Sequence, residues 1–417
     1  MDAAHVVTCF LRNRGAVLLC LRADDAETYP GRWGTVTGYV EDGDPVGTAR
    51  AEIEEETGLR ADEVELVRAG DAFPVVDDDL GRRWRVHPFL FDAARRDVTL
   101  NEESAAADWR SPTAIRRRET VPALWRSYAS VAPSAQSIAE DRDHGSAELS
   151  IRALEVLRDA AGVAATEEAG LDAVVETAED LLDARSSMAA LTNRVNRAMH
   201  GADSAAAVEN AAEEGIDRAY TADAEAARRA AERLEGGSAL TLSRSGTVLD
   251  ALCQGAGAVY VAESRPAREG VGVAERLAEA GCDVTLCTDA AVAHVLSTRA
   301  VDVVLVGADA VLPDGRIVNK TGTRAAALAA DREGLPCYAV AAADKVQVDD
   351  AVHLEDGPAK AVYDGPARVE AVNPTFDVTP ADLLSGLVTE RGVLDAAEIA
   401  TVAAEHRRLA AWRDRHD

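Results

Sequence analysis

From residue 239 onward, short apolar runs alternate with amphipathic stretches, and this alternation limits the fold most. The runs are Ala239-Leu-Thr-Leu242, Val259-Tyr-Val-Ala262, Val284-Thr-Leu-Cys287, Val301-Asp-Val-Val-Leu-Val306 and Cys337-Tyr-Ala-Val-Ala341. Each is strand-sized, and helices fit between them, as at 273–280 and 323–331. Such strand–helix alternation implies a parallel sheet covered on both faces. Ligands of these sheets bind at the carboxyl ends of the strands. The preceding stretch, up to about residue 234, is rich in Ala, Glu and Arg and reads as helical. Residues 1–125 read differently again, as mixed α/β. Strands are expected at 5–11, 16–21, 64–69 and 84–91. A helix is expected at 45–57, stopped by Gly58. A hinge is expected around 131–135. We therefore expect three regions: 1–128, a helical part over 136–235, and a sheet domain over 236–417.

The chain has 417 residues and a formal net charge of -29. Such acidity repels nucleic-acid phosphates, so no direct nucleic-acid partner is expected. Among 44 Lys and Arg, only Lys320, Lys345 and Lys360 are lysine. Scarce lysine, few aromatics and abundant Asp suggest a protein adapted to high salt, where screening makes the charge density tolerable. No apolar stretch is long enough for a membrane helix, and no cationic leader is visible, so a soluble, cytoplasmic protein is expected. The six cysteines form no CxxC pair and read as reduced, mostly buried thiols.

Between Gly38 and Leu59 lies a carboxylate-bearing helix. Glu52, Glu55 and Glu56 stand at i, i+3 and i+4 and share one face. Like charges so placed repel, unless a hard cation sits among them. Mg²⁺ takes oxygen ligands and bridges to substrate phosphates. These residues, with Tyr29-Pro-Gly-Arg-Trp-Gly-Thr-Val-Thr-Gly38 before them and Leu100-Asn-Glu-Glu-Ser104 and Trp109 after, resemble the Nudix family. The resemblance implies an α/β/α sandwich and hydrolysis of a nucleoside diphosphate derivative with Mg²⁺ or Mn²⁺. It implies Glu52, Glu55 and Glu56 as metal ligands and candidate catalytic groups, with Glu103 as a further ligand or base. The loop before the helix is one residue short of the family pattern. Ala51 stands where the family has arginine, and Arg50 points about 100° away.

A second constellation lies at the predicted strand ends. Ser245, Gly246 and Thr247 open a helix, whose amide groups and dipole favour an anion. Arg265 offers a planar fork suited to phosphate. Asp309 closes the most apolar strand. Asn319, Lys320 and Lys345 follow, placing two of the three lysines in strand-end loops. All of these except Asp309 are candidate substrate-binding residues, and Asp309 is a candidate catalytic one.

Asp141-Arg-Asp-His-Gly145, Glu263-Ser-Arg-Pro266, Gly307-Ala-Asp309, Asn319-Lys320, Gly322-Thr323, Asn373-Pro374 and Thr389-Glu390 together resemble the initiation factor 2B alpha/beta/delta family. Its metabolic relatives are ribose-1,5-bisphosphate isomerase and methylthioribose-1-phosphate isomerase. This implies a Rossmann-like domain that binds a sugar phosphate or nucleotide, commonly as a homodimer. The isomerases use a Cys and an Asp as acid–base pair. Asp309 matches the Asp, whereas Ser243 stands at the Cys position, and a hydroxyl is a poor proton shuttle. Cys253, ten residues on, is expected in the core of the next helix. Three readings remain open: a Nudix hydrolase with a phosphate-binding partner domain, a bifunctional isomerase, and a regulatory protein associating with translation initiation factor 2.

Overall fold

Alternate residues of the first strand serve two different cores. In the computed structural model, which describes residues 3–415 except 42, 353 and 355, β1 (Ala4–Asn13) is buried on both faces from Val7 to Arg12. Val7, Cys9 and Leu11 pack with Ala49, Ile53 and Leu59. Phe10 turns the other way, onto Ile115, Leu124 and Tyr128. A period of two thus gives one strand two apolar faces, each covered by helix. The strands β2 (Ala16–Arg22), β3 (Trp33–Gly34), β4 (Val36–Tyr39), β5 (Val64–Ala69), β6 (Phe73–Asp77), β7 (Arg82–Ala93) and β8 (Ser104–Arg110) complete an eight-stranded sheet. β1 runs parallel to β7 and antiparallel to β2 and β4. The result is the expected α/β/α sandwich.

One face carries α1 (Pro45–Thr57). Asp44 caps it, accepting from Val46 N and Gly47 N at 3.2 and 3.1 Å, and Pro45 supplies a pre-set first turn. Gly58, at φ 69°, ends it in the left-handed region. Ile53 is fully buried, worth about 2 kcal/mol of transfer free energy. The other face carries a 3-10 turn at Pro112–Arg116 and α2 (Leu124–Ala129).

The helices α3 (Ala135–Glu140), α4 (Ser146–Thr166), α5 (Asp172–Ala184), α6 (Ala189–Met199) and α7 (Ala205–Ala231) follow. The chain divides into two compact units. The first is Met1–Asp141 with Ile151–Leu181 and Ala202–Ile216; the second is Arg142–Ser150, Leu182–Gly201 and Asp217–Asp417. Within the first, buried charges tie α4 to the sheet. Arg12 donates to Asp92 Oδ1 at 2.6 Å and to Glu155 Oε2 at 3.0 Å, and Arg158 donates to the Gly15 carbonyl at 2.6 Å. Arg117 pairs with Glu209 of α7. The hinge expected at 131–135 is not an exposed linker: Val131 is 1% exposed in the second-face core, and Ser134 forms a capping box with Ser137.

The second unit holds β9 (Ser238–Leu242), α8 (Gly246–Gly255), β10 (Ala258–Ala262), α9 (Glu269–Glu279), β11 (Asp283–Cys287), α10 (Val292–Thr298) and β12 (Val303–Gly307). β13 (Ala310–Val311), β14 (Ile317–Lys320), α11 (Thr323–Glu333), β15 (Cys337–Val340), β16 (Phe376–Thr379), β17 (Gly386–Thr389), β18 (Gly392–Leu394) and α12 (Ala396–Ala410) complete it. The main sheet runs β11-β10-β9-β12-β15-β17-β18, parallel as far as β17. Val304 and Val306 of β12 face α10 and α11, while Val303 and Leu305 face α8 and α9. The order reverses between β9 and β12, the switch point where doubly wound sheets bind ligands. β13, β14 and β16 form a small antiparallel sheet beside it.

One further expectation needs correction. Cys253 is exposed on α8 rather than in its core, because the buried positions of that helix are Thr247, Val248, Leu249, Ala251 and Leu252. All six cysteines are free, with Cys9, Cys20 and Cys337 buried. Among the described residues, no helix is long and apolar enough to cross a membrane.

Candidate functional site

In the first unit, α1 presents the three expected carboxylates at different depths. Glu56 is 4% exposed, Glu52 is half-buried and Glu55 is exposed. Glu56 Oε1 accepts from Thr37 N at 2.9 Å, tying α1 to β4. Burial pushes the Glu56 carboxyl up to about 8, with Glu103 and Glu52 adding to the rise against the Thr37 amide and the Arg22 charge. Burial also raises Glu52, helped by Glu55, Glu103 and Glu41. The fold therefore brings Glu103, from the turn before β8, into the field of α1. Glu52 lies directly over Gly38: a Cβ there would meet Glu52 Oε1 at 1.9 Å and push that side chain aside.

The arginine missing at Ala51 is not replaced by its neighbour. Arg50 lies 5.7 Å from the Phe91 ring centroid. The cation that acts on Glu56 is Arg22, on β2, with its Nε held by the Thr28 carbonyl at 2.7 Å. The sequence reading missed Arg22, since nothing in its local pattern points across the sheet.

Among the described residues, no three acidic, imidazole or thiol groups already converge into a metal cage. Mg²⁺ does not require one, because it keeps several waters and takes one or two carboxylates plus phosphate oxygens. Hard oxygen donors that raise one another's protonation fit such a cation.

In the second unit, polar groups gather where β9, β10 and β12 end. Ser245 caps α8, accepting from Val248 N at 3.4 Å, with Gly246 and Thr247 in the first turn. Arg244 donates to the Asp143 carbonyl at 2.6 Å. Asp289 accepts from Ser264 N at 2.8 Å and Arg265 N at 2.7 Å, which pins the turn after β10. Arg265 itself is exposed. Ser243 and Ser264 both adopt positive φ, 61° and 60°, in a region disfavoured for residues with a Cβ. Such strain often collects at functional sites.

Asp309 is partly buried. Burial raises its carboxyl above the ordinary value, against the charges of Lys345 and Lys320 and with help from Glu269. Lys345 donates to the Ala308 carbonyl at 2.6 Å. Its neighbour Asp344 is buried between Arg194 (3.0 Å) and Arg197 (2.7 Å). Asn319 donates to Thr323 Oγ1 at 2.9 Å. Lys320 Nζ donates to Glu269 Oε1 at 3.0 Å, and Ser243 Oγ donates to Glu269 Oε2 at 2.9 Å. Glu269 thus joins Ser243 to Lys320, a role the sequence reading did not assign to it.

A family model described as "Initiation factor 2 subunit family" matches residues 142–396, more than half of the chain. The chain belongs to the Initiation factor 2 subunit family. This member carries a NUDIX domain at its N-terminal end, matched over residues 2–131. The fusion expected from the sequence is therefore present. Methylthioribose-1-phosphate isomerase of Azotobacter vinelandii is 39% identical over 155 residues, which is 35% of this chain and 43% of that protein. The chain thus matches less than half the length of that curated relative. Translation initiation factor eIF-2B of Pyrococcus horikoshii is similar in structure, with TM-score 0.53 and 27% identity over 62% of this chain and 94% of the other. So is 5-methylthioribose 1-phosphate isomerase of the same organism, with TM-score 0.53 over 73% of this chain and 90% of the other. At 22% identity that likeness shows the fold alone.

Proposed function

We propose that the second unit isomerises a phosphorylated pentose, converting an aldose 1-phosphate to the 2-ketose. The observation that carries this is Asp309. It is a partly buried carboxyl with raised proton affinity, beside Lys320, Lys345 and Glu269 at the switch point of the sheet. A group so shifted holds a proton further toward neutral pH than an ordinary carboxylic acid and can donate it. Ser245, Gly246 and Thr247 at the start of α8, with Arg265 and the two lysines, would hold phosphate oxygens. The isomerase named among the relatives supports this reaction class. Steady-state assays with ribose 1,5-bisphosphate and methylthioribose 1-phosphate test it. Conversion of either is expected, and no conversion of both at saturating concentration removes the reading.

The first unit has its own activity on this reading: hydrolysis of a nucleoside diphosphate derivative. Glu56 favours it, being a buried carboxyl raised to about 8 beside Glu52 and Glu103. Glu52, Glu55 and Glu56 would hold Mg²⁺ or Mn²⁺, which polarises a phosphoryl oxygen and lowers the pKa of bound water. Arg22 takes part of the charge-balancing role that Ala51 cannot. Phosphorus NMR with a panel that includes ADP-ribose tests this, in strong potassium chloride with Mg²⁺. If neither unit turns over its substrates, the chain is a ligand-sensing relative whose partners are a second copy and translation initiation factor 2.

A further inference from the structure

Resting on the isomerase reading, we propose that the Glu269 carboxylate is the group that moves the proton between C2 and C1 of the substrate. Ser243 positions it and does not act as the base.

The position of Ser243 is where the resemblance places a cysteine in the isomerases. The Ser243 hydroxyl cannot stand in for that thiol as it is placed, because its proton is committed to Glu269 Oε2 at 2.9 Å. Lys320 holds the other oxygen at 3.0 Å. Two donors thus fix both oxygens of one carboxylate. A carboxylate has about four acceptor sites, so about two remain for a substrate proton. Side-chain exposure is 27% for Glu269 and 20% for Lys320, so the pair is reachable but sheltered.

The backbone is built to place this group. Arg268, at φ 58°, turns the chain into α9, whose first residue is Glu269. A Cβ on Gly270 would lie 1.9 Å from the Ala262 carbonyl oxygen, so only glycine lets the helix start against the end of β10. The start of α9 therefore stands against the end of β10, where Ser243 reaches it from the end of β9 and Lys320 from the end of β14. Asp309 shares this field: the Glu269 charge raises its carboxyl.

The chemistry balances without a co-reactant. Protonation of the ring oxygen breaks the bond from C1 to that oxygen, and the bonding pair stays on oxygen. Glu269 takes the proton from C2, whose electron pair forms the C1–C2 double bond of the enol. The enol hydroxyl then loses its proton as Glu269 returns the other proton to C1, leaving a ketone at C2. Asp309 supplies the ring-oxygen proton and recovers one from the enol hydroxyl. No atom or electron is gained or lost.

The test uses the full chain with ribose 1,5-bisphosphate and methylthioribose 1-phosphate. Glu269→Gln should lower kcat by about 100-fold or more, the usual span for a lost acid–base group, with KM changed by less than about threefold. Glu269→Ala should regain turnover on addition of formate, a response that loss of a purely structural contact does not give. Ser243→Ala keeps Glu269 and Lys320 and should lose about tenfold or less. Its result stands even where the Glu269 variants fail to fold. A Glu269→Gln enzyme with wild-type kcat overturns the inference and leaves the isomerase reading standing. So does a Ser243→Ala enzyme as slow as about 1% of wild type, because the hydroxyl would then be the reacting group. A wild-type chain that converts neither sugar overturns both.

Discussion

Replacing Arg12 by Met removes the charge that joins the first strand to α4. Arg12 is 3% exposed and Glu155 1%, and Arg12 also pairs with Asp92. Loss of one partner of a buried pair leaves an uncompensated charge and costs about 3–5 kcal/mol. Arg152 still reaches both Glu155 and Asp92 at 3.0 Å, so the low end, about 3 kcal/mol, is expected. In a folding unit of 150–250 residues, each kcal/mol moves Tm by roughly 2–4 °C, giving a fall of about 6–12 °C. The pH dependence carries a sign. Burial alone would raise Glu155, but the charges of Arg12, Arg152 and Arg158 hold its carboxyl below the ordinary value. A depressed carboxyl contributes stability above about pH 4.5 that is lost as pH falls through its folded value. Arg12→Met should shrink that contribution. Urea melts of Arg12→Met, Glu155→Met and the double variant, from pH 3 to 7, check it. The double variant should recover stability relative to either single one. Single variants costing less than about 1 kcal/mol, with additive effects, would show that Arg12 and Glu155 do not act as a coupled buried pair.

Further outcomes follow from the same geometry. Glu56→Gln should abolish diphosphate hydrolysis measured by phosphorus NMR. In metal-free wild type, the carboxyl raised to about 8 binds more protons folded than unfolded, so stability should fall by on the order of 3 kcal/mol from pH 5 to 8. Glu56→Gln should not show that component in denaturant melts. Asp344→Asn leaves Arg194, 2% exposed, with the more distant Asp223 at 3.8 Å in place of the Asp344 carboxylate at 3.0 Å, and should cost about 3 kcal/mol, the low end for a broken buried pair, by thermal or chemical unfolding. With 73 acidic against 44 basic residues, Tm should rise between 0.1 and 2 M potassium chloride as repulsion is screened.

Much of this molecule is written locally. The helix bearing Glu52 and Glu56 was legible to the residue, because Pro45 and Gly58 bracket it and Ile53 marks its buried side. Five of the seven strands of the second sheet were legible from their apolar runs, though β9 to β12 shifted by a residue or two, whereas the short β17 and β18 were missed. β6 was missed because Pro74 interrupts the pattern, which an edge strand pairing only with β7 tolerates. The grouping of α4 and α7 residues with the first sheet was not legible either. Nothing in the local pattern singles out Glu155 or Glu209 among the many acidic residues of these helices, and only the folded chain brings them to Arg12 and Arg117. Glu269 stayed hidden for the same reason. Its partners stand 26 and 51 residues away, and Arg268 gives no capping signal for the helix it begins.

On the proposed function, Asp309 makes the second unit a working isomerase and not only a phosphate-binding frame. The most direct measurement compares wild type with Asp309→Asn. Substrate affinity is read by calorimetry and turnover by phosphorus NMR, with ribose 1,5-bisphosphate and methylthioribose 1-phosphate. Asp309→Asn should bind the sugar phosphate within about threefold of wild type while turnover falls by about 100-fold or more. Equal turnover by the two proteins, or binding with no turnover by either, would contradict it.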